Sequence, residues 1–295
     1  MIPPLRLHRP RALPEAVGLL AELGDEARIH AGGTELVLML REGFIGASDL
    51  IDIKGIPELG GISLDERPGL LRLGATARHD ELARDPLVRR HLPVLADLEA
   101  QLANQRVRNA GTIGGNLAFA EPHADPPAFL VAAEAGVRLE GPEGTRYAKV
   151  EGWLAGAFDV DIRVGEILFG IYVELPRPRT AFGYRRFKAL ERPSATAAVR
   201  LISGEDGRIE SARIVLGCLG GAPQVIRGTD DLLAGLALDA LDSVADVVAA
   251  AVAAEADTVT DPHGPQDYKR HMAGVLAVRA LRDAAAQLVQ PGAQA

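Results

Sequence analysis

The sequence predicts an α/β domain followed by a smaller α+β domain, and three observations carry that expectation. Helix-like and strand-like stretches alternate from Pro14 to Leu175, whereas beyond residue 176 three strand-like runs come first and two long helix-like runs last. Pro176-Arg177-Pro178-Arg179 interrupts both periods and sets the boundary, giving domains of residues 1–176, with subdomains 1–57 and 58–176, and 177–295. At 295 residues the chain is long enough for two domains, each with its own core.

Taken in order, Pro14 to Leu23 places Ala16, Val17, Leu19, Leu20 and Leu23 on one helical face behind a proline in its first turn. Arg28 to Ala31 reads as a strand, and Leu36-Val37-Leu38-Met39-Leu40 as an apolar run that opens a helix. Asp49-Leu50-Ile51-Asp52-Ile53 and Leu70-Leu71-Arg72-Leu73-Gly74 read as strands, the former ended by Lys54-Gly55-Ile56-Pro57. Pro93 to Arg106 reads as one helix with Leu95, Leu98 and Leu102 on one side. A helix from Asp125 to Ala135 turns Phe129, Leu130 and Val131 to the core, and strands follow around Val137 to Glu140 and Glu166 to Leu175. In the second domain Phe182 to Lys188, Ala197 to Ser203 and Arg208 to Leu216 are strands, the last two joined by a hairpin turn at Glu205-Asp206-Gly207. Helices then span Leu238 to Asp257 and Pro265 to Gln290, the second with Val275, Val278, Leu281 and Ala285 on one side. No internal repeat or long low-complexity tract interrupts the pattern.

Composition narrows the function classes. A hydrophobic fraction of 47% with 24% charged residues is that of a soluble globular protein. The net charge of -8 argues against a nucleic-acid surface. The start, Met1-Ile2-Pro3-Pro4-Leu5-Arg6, lacks the apolar core of a signal peptide, and no stretch approaches the roughly 18 apolar residues of a membrane helix. The expected location is the cytoplasm, without membrane contact. The single cysteine, Cys218, allows no internal disulfide and no iron-sulfur cluster held by four thiolates. It lies in the apolar run Ile214-Val215-Leu216-Gly217-Cys218-Leu219 and reads as a buried core thiol. The histidines show no HxxxH or HxxEH spacing, and His30, His123 and His271 stand apart, so no metal site is predicted.

Two glycine segments stand out: Ala31-Gly32-Gly33-Thr34-Glu35-Leu36 and Gly111-Thr112-Ile113-Gly114-Gly115-Asn116. Glycine lets the main chain approach an anion closely and adopt the positive φ that lines up N–H groups, while a threonine hydroxyl adds one more donor. Glycine pairs are by default turns, and Gly60-Gly61 and Gly220-Gly221 are pairs as well. Context singles out the first two. Arg28-Ile29-His30 ends a strand, the glycine turn follows, and Leu36 opens a helix, an order that places an anion at a helix start. Neither segment fits the GxGxxG or GxxxxGK spacing of the common nucleotide folds. The pair suggests a clamp for the diphosphate of a dinucleotide, foremost FAD.

Around these segments further residues fall into an ordered series: Leu73-Gly74-Ala75-Thr76, the run from Arg108 to Ala118, Pro122 to Pro126 with Asp125-Pro126, Glu166-Ile167-Leu168, Phe187-Lys188, Gly220-Gly221-Ala222-Pro223, and Tyr268-Lys269-Arg270 leading to Val275 through Leu281. With this series the chain resembles, over nearly its whole length, the FAD-binding medium subunit of the molybdenum hydroxylases. The resemblance implies a two-lobed FAD-binding domain of the vanillyl-alcohol-oxidase-like type, followed by a C-terminal domain with an antiparallel sheet and helices. It implies noncovalent FAD, so neither His30 nor His123 is read as a covalent anchor. Benzoyl-CoA-reductase-type medium subunits carry extra cysteines for a further cluster, and this chain departs from them.

By the same resemblance, Arg28, Ile29, His30, Ala31, Gly32, Gly33, Thr34, Glu35 and Leu36, with Gly111, Thr112, Ile113, Gly114, Gly115 and Asn116, hold the diphosphate and neighbouring atoms, mainly by backbone donors. Asp125 matches an aspartate that accepts from cofactor hydroxyls, and it reads equally as an N-cap for the helix that follows. Leu102 and Leu168 match positions against the flavin, although periodicity alone makes both core leucines. Lys188 matches a cation that stabilises the reduced ring, against the default of a solvated lysine. Relatives carry an acidic-aromatic pair shortly after that lysine, where this chain reads Glu191-Arg192-Pro193-Ser194-Ala195-Thr196. Tyr184 offers a substitute aromatic contact. Arg106 and Arg108 either add positive potential at the second segment or tie down a helix end.

The implied function is an electron-transfer subunit with no catalytic residue of its own. A large subunit carries the molybdenum cofactor, a small subunit carries the iron-sulfur clusters, and the whole forms a dimer of heterotrimers. Two other classes fit the bare residues: a stand-alone noncovalent flavin oxidase and a noncatalytic nucleotide-binding subunit.

Overall fold

A computed structural model describes residues 4–188 and 191–289, and the chain divides into two compact units. The first runs to Ala120 and resumes over Ala135–Glu174; the second takes Glu121–Glu134 and the chain from Leu175 on. The segment 121–134, which sequence order alone assigns to the first domain, thus folds with the second unit.

The first unit holds two sheets. Strands Arg6–His8, Asp49–Asp52 and Ala27–His30 form a parallel sheet in that order. Parallel neighbours need a crossover, and the helix Leu13–Leu23, with Pro14 in its first turn, supplies the first one. That helix buries Ala16 in a cluster with Ala27, Ile51, Ile53, Ile56, Leu59 and Ile167. The second sheet is antiparallel, ordered Ile62–Leu64, Leu70–Gly74, Ile167–Glu174, Gly136–Gly141 and Gly144–Lys149. Its register slips between Leu168 and Gly170, a bulge in the central strand.

Where one helix is expected from Pro93 to Arg106, the chain forms two, Pro93–Ala100 and Gln105–Ala110. Ala103 adopts φ +41°, and the Asn104 side chain accepts from the N–H groups of Arg106 and Val107, an N-cap that starts the second helix afresh. The short strand Arg6–His8 and the helices His79–Arg84, Pro86–His91 and Ile113–Phe119 are additions to the sequence reading.

The second unit is built on an antiparallel sheet ordered Thr180–Phe187, Ala195–Ser203, Ile209–Gly217 and Gln224–Ile226. Gly207, at φ +73°, closes the hairpin between the second and third strands. Val199, Leu201, Ile214 and Leu216 are fully buried with Val252, Ala273, Leu276 and Ala277 of the helices Leu241–Glu255 and Gln266–Val289. Each of these valine, leucine and isoleucine side chains contributes about 1.5–3 kcal/mol of transfer free energy. The final helix reaches Val289 in the structure, and Gln290 lies outside the described residues.

The strand Ile209–Gly217 stops one residue before Cys218, which turns to φ +62° and is buried, its thiol 3.5 Å from the Ala124 carbonyl. Burial pushes this thiol well above its ordinary pKa. Among the described residues no helix is long and apolar enough to cross a membrane.

Candidate functional site

The first glycine segment leaves the strand Ala27–His30 and enters the helix Leu36–Glu42. Gly33 sits at φ +71°, a conformation that costs any residue with a Cβ. The Val37 N–H returns to the Gly33 carbonyl at 3.1 Å. Among the described residues, the N–H groups of Gly32, Gly33 and Thr34 donate to no group of the chain. Three neighbouring donors thus stand uncommitted in one loop, which is half-buried throughout.

Beneath this loop lies a polar trio. Lys54 Nζ reaches Asp52 Oδ1 at 2.7 Å, the Ala31 carbonyl at 3.1 Å and His30 Nδ1 at 2.9 Å. The parallel register sets His30 opposite Asp52 at the ends of their strands, which brings the three side chains together. Burial, and then the Lys54 ammonium, hold the His30 imidazole below its ordinary pKa, so it is neutral near pH 7.

The second segment uses its backbone differently. Gly111 N–H donates to Val107 O at 2.7 Å, Ile113 to Ala77 O at 3.0 Å, Gly114 to Ala75 O at 3.0 Å and Asn116 to Thr112 O at 2.9 Å. Thr112 is the N-cap of the helix Ile113–Phe119, and its hydroxyl oxygen accepts from Gly115 N–H at 3.1 Å. Most backbone donors of this segment are therefore spent within the chain, and the segment acts as a wedge. A Cβ on Gly114 would stand 2.5 Å from the Ala75 carbonyl oxygen, so only glycine lets the segment dock on residues 75–77. What the wedge leaves over is the Thr112 N–H, which donates to no group among the described residues, and a side chain: Asn116 Oδ1 is buried without a hydrogen-bond partner among them.

The two segments touch. A Cβ on Gly32 would lie 2.5 Å from the Ala110 carbonyl oxygen and 2.7 Å from the Gly111 Cα. His79, buried with Glu99 at 2.6 Å, packs beside Gly111 and donates its backbone N–H to the Gly111 carbonyl at 3.1 Å. The remaining predicted residues of the first unit take less direct positions. Arg28 donates to the carbonyls of Asp25 and Ala27, and Ile29 and Ala31 pack on the apolar cluster below. Glu35 is the N-terminal boundary residue of the helix that begins at Leu36. Leu102 and Leu168 are both buried, Leu168 beside the strand bulge. Arg108 donates to the Leu102 carbonyl at 2.8 Å, fastening the turn between two helices, while Arg106 is exposed.

Asp125 and Lys188 belong to the second unit. Asp125 stands at the N-terminal boundary of the buried helix Pro126–Ala132, but its side chain does not cap it. Its carboxylate instead accepts from the Tyr184 hydroxyl at 2.6 Å and from Arg186 at 3.0 Å. Lys188 is exposed just past the strand Thr180–Phe187. In the loop that departs from the expected pattern, Arg192 pairs with Glu121, and the Pro193 carbonyl lies 3.0 Å from His123 Nδ1.

Sequence reasoning missed Lys54 and Asp52. Their signal was pairing: two short strands, each ending in a polar residue, laid side by side.

Known proteins share both the sequence and the fold of this chain. A family model described as the FAD binding domain in molybdopterin dehydrogenase matches residues 3–178, and one described as the CO dehydrogenase flavoprotein C-terminal domain matches residues 184–284. The chain is a flavoprotein medium subunit of the molybdenum hydroxylase family. It is 35% identical over 290 residues to the carbon monoxide dehydrogenase medium chain of Hydrogenophaga pseudoflava, covering 96% of this chain and 98% of that one. The solved carbon monoxide dehydrogenase of that organism, in a form lacking the Mo-pyranopterin moiety of its cofactor, superposes with a TM-score of 0.89 at 33% identity, over 97% of this chain and 99% of that one. Quinoline 2-oxidoreductase from Pseudomonas putida 86 gives a TM-score of 0.91 at 28% identity, over 98% and 99%.

The residues of the first unit fit the family's cofactor. Uncommitted N–H groups at Gly32, Gly33 and Thr34 suit a diphosphate. The orphaned Asn116 oxygen suits a ribityl or ribose hydroxyl, a donor that would satisfy it.

Proposed function

We propose that this chain is the FAD-carrying electron-transfer subunit of a heteromeric molybdenum hydroxylase, receiving electrons from the iron-sulfur clusters of a small subunit and passing them to an external acceptor. The observation that carries the reading is the contact of the two glycine segments, with free donors on one and an orphaned acceptor on the other. Bound FAD supplies the redox chemistry; the protein supplies position and electrostatics. Within this assignment the Gly32–Thr34 loop holds the diphosphate, Asn116 accepts from a cofactor hydroxyl, and the packed 111–116 segment backs the loop.

The relatives' activities favour a division of labour. Subunits of one fold serve a carbon monoxide dehydrogenase and a quinoline 2-oxidoreductase, so substrate chemistry belongs to another chain. A nicotine 6-hydroxylase relative, 26% identical, is itself called a medium subunit. We accordingly assign the molybdenum cofactor to a large partner and the clusters to a small one, in a dimer of heterotrimers.

Two measurements test this. The purified full-length chain, stripped and incubated with FAD, should retain about one flavin per chain through gel filtration, with the absorbance bleaching on reduction. Isolation from the native source should bring two further chains carrying molybdenum and iron. Recovery of the chain by itself, or without reducible flavin absorbance, would overturn the assignment.

A further inference from the structure

We propose that Lys54 is a positioning residue of the flavin site, and that it makes the His30 side chain a further donor to the diphosphate through Nε2–H. The inference rests on the FAD reading above and goes beyond it in assigning side chains outside the glycine backbone.

An ammonium has three N–H bonds and no acceptor. Lys54 Nζ has three acceptors in reach: Asp52 Oδ1 at 2.7 Å, Ala31 O at 3.1 Å and His30 Nδ1 at 2.9 Å. Because lysine can only donate, His30 Nδ1 must carry a lone pair, and the ring proton is therefore on Nε2. Asp52 Oδ1 stands 3.7 Å from Nδ1, beyond hydrogen-bond range, and does not compete for that position. The Nε2 edge then lies at the glycine loop: a Cβ on Gly33 would be 2.6 Å from it. Glycine at 33 thus makes room for the imidazole tip as well as for positive φ.

The Ala31 contact has a second consequence. A trans peptide holds its C=O and the following N–H on opposite sides. Drawing the Ala31 carbonyl down onto Lys54 turns the Gly32 N–H the other way, away from the ammonium. One cation, itself anchored by Asp52, therefore sets the direction of two donors, Gly32 N–H and His30 Nε2–H. Asp52 neutralises most of its charge locally, so its contribution is orientation rather than a long-range field.

The test uses the full-length chain, freed of flavin, in two arms. Imidazole nitrogen shifts, with the His30 signal assigned by its absence in H30Q, should show the Nε2–H tautomer in the neutral ring above about pH 7, and K54M should lose that preference. Flavin fluorescence titration should show FAD binding weakened about 10- to 100-fold in K54M and about 10-fold in H30L, the scale of a hydrogen bond to a charged group. H30Q keeps a donor at the Nε2 position and should bind within about threefold of wild type. K54R keeps the charge but spreads its donors in a plane, so it should not restore binding.

An Nδ1–H tautomer in the wild type, affinity unchanged in K54M and H30L, or full binding by K54R would overturn the proposal while leaving the FAD reading intact. A wild-type chain that takes up no FAD would remove both. Should K54M fail to fold, the H30L and H30Q pair with the wild-type tautomer decides the matter.

Discussion

The two glycine segments have nearly the same composition and opposite uses of it. In 31–36, the N–H groups of Gly32, Gly33 and Thr34 have no acceptor among the described residues, and the structure beneath them is side chain: His30, Lys54 and Asp52. In 111–116, every N–H from Ile113 to Asn116 is taken up by residues 75–77 or by Thr112, and among the described residues the Thr112 N–H and the Asn116 side-chain oxygen are left without a partner. Glycine serves reach toward a ligand in the first case and close packing of two backbones in the second. A glycine-hydroxyl pattern therefore identifies a place where backbone comes close to something. It does not say whether that something is a ligand or the protein itself.

The largest expected effect separates the two roles. In G114A the new methyl meets the Ala75 backbone at 2.5–2.7 Å, which cannot turn aside, and the Gly114 to Ala75 hydrogen bond is strained with it. Unfolding free energy should fall by about 3 kcal/mol, the upper range of overpacking. In G33A the methyl meets the tip of the His30 ring, and positive φ adds a cost of about 1–2 kcal/mol. That variant should remain folded and lose FAD affinity. Denaturant unfolding of the flavin-free chains, beside flavin titration, checks the pair. Equal loss of stability in both would break the distinction.

Much of the fold was legible because it depends on local pattern. The parallel strands around residues 28 and 50, the long strands of the second unit, and both C-terminal helices follow from apolar period and glycine or proline punctuation. The break at Leu102 to Asn104 was readable only through its cap, since Leu95, Leu98 and Leu102 keep helical spacing across it. The transfer of 121–134 to the second unit left no mark in the sequence, because its burial against strands beyond residue 180 is a long-range fact. For the site, the two segments and their meeting were foreshadowed, while the commitment of the second one's donors was not. It depends on carbonyls at Ala75 and Ala77, some forty residues away, and on no property of residues 111–116 themselves.

A smaller effect sharpens the comparison through the two threonines. Thr112 is a buried N-cap, so T112V should cost about 1 kcal/mol of stability. Thr34 is the last of the free donors and its hydroxyl caps no helix among the described residues, so T34V should change stability by less than about 0.5 kcal/mol. Affinity should move the opposite way, with T34V binding FAD several-fold more weakly and T112V nearly as wild type does. If T112V loses flavin at unchanged stability, its hydroxyl serves the ligand after all.

The last effect is confined to acid, and it bears on what each segment stands on. Asp49, in the middle strand of the parallel sheet, has a fully buried side chain that accepts from His8 at 2.6 Å, Ser48 at 2.5 Å and Arg6 at 2.9 Å. These bonds, led by those from His8 and Ser48, hold its pKa down from 3.8 to about 2. A carboxyl with a depressed folded-state pKa lends its stabilisation above the unfolded value and loses it as pH falls through the folded one. The sheet that carries the first segment should therefore loosen between pH 3.8 and about 2. The second segment is tethered by amide bonds that do not titrate. Hydrogen exchange, corrected for intrinsic rates, should show protection in Ala27–His30 falling across that window while that of residues 113–116 persists, and D49N should abolish the difference. Simultaneous loss in both would mean that the two segments share one foundation, and that their contact at Gly32 and Gly111 couples them more tightly than their separate tethers do.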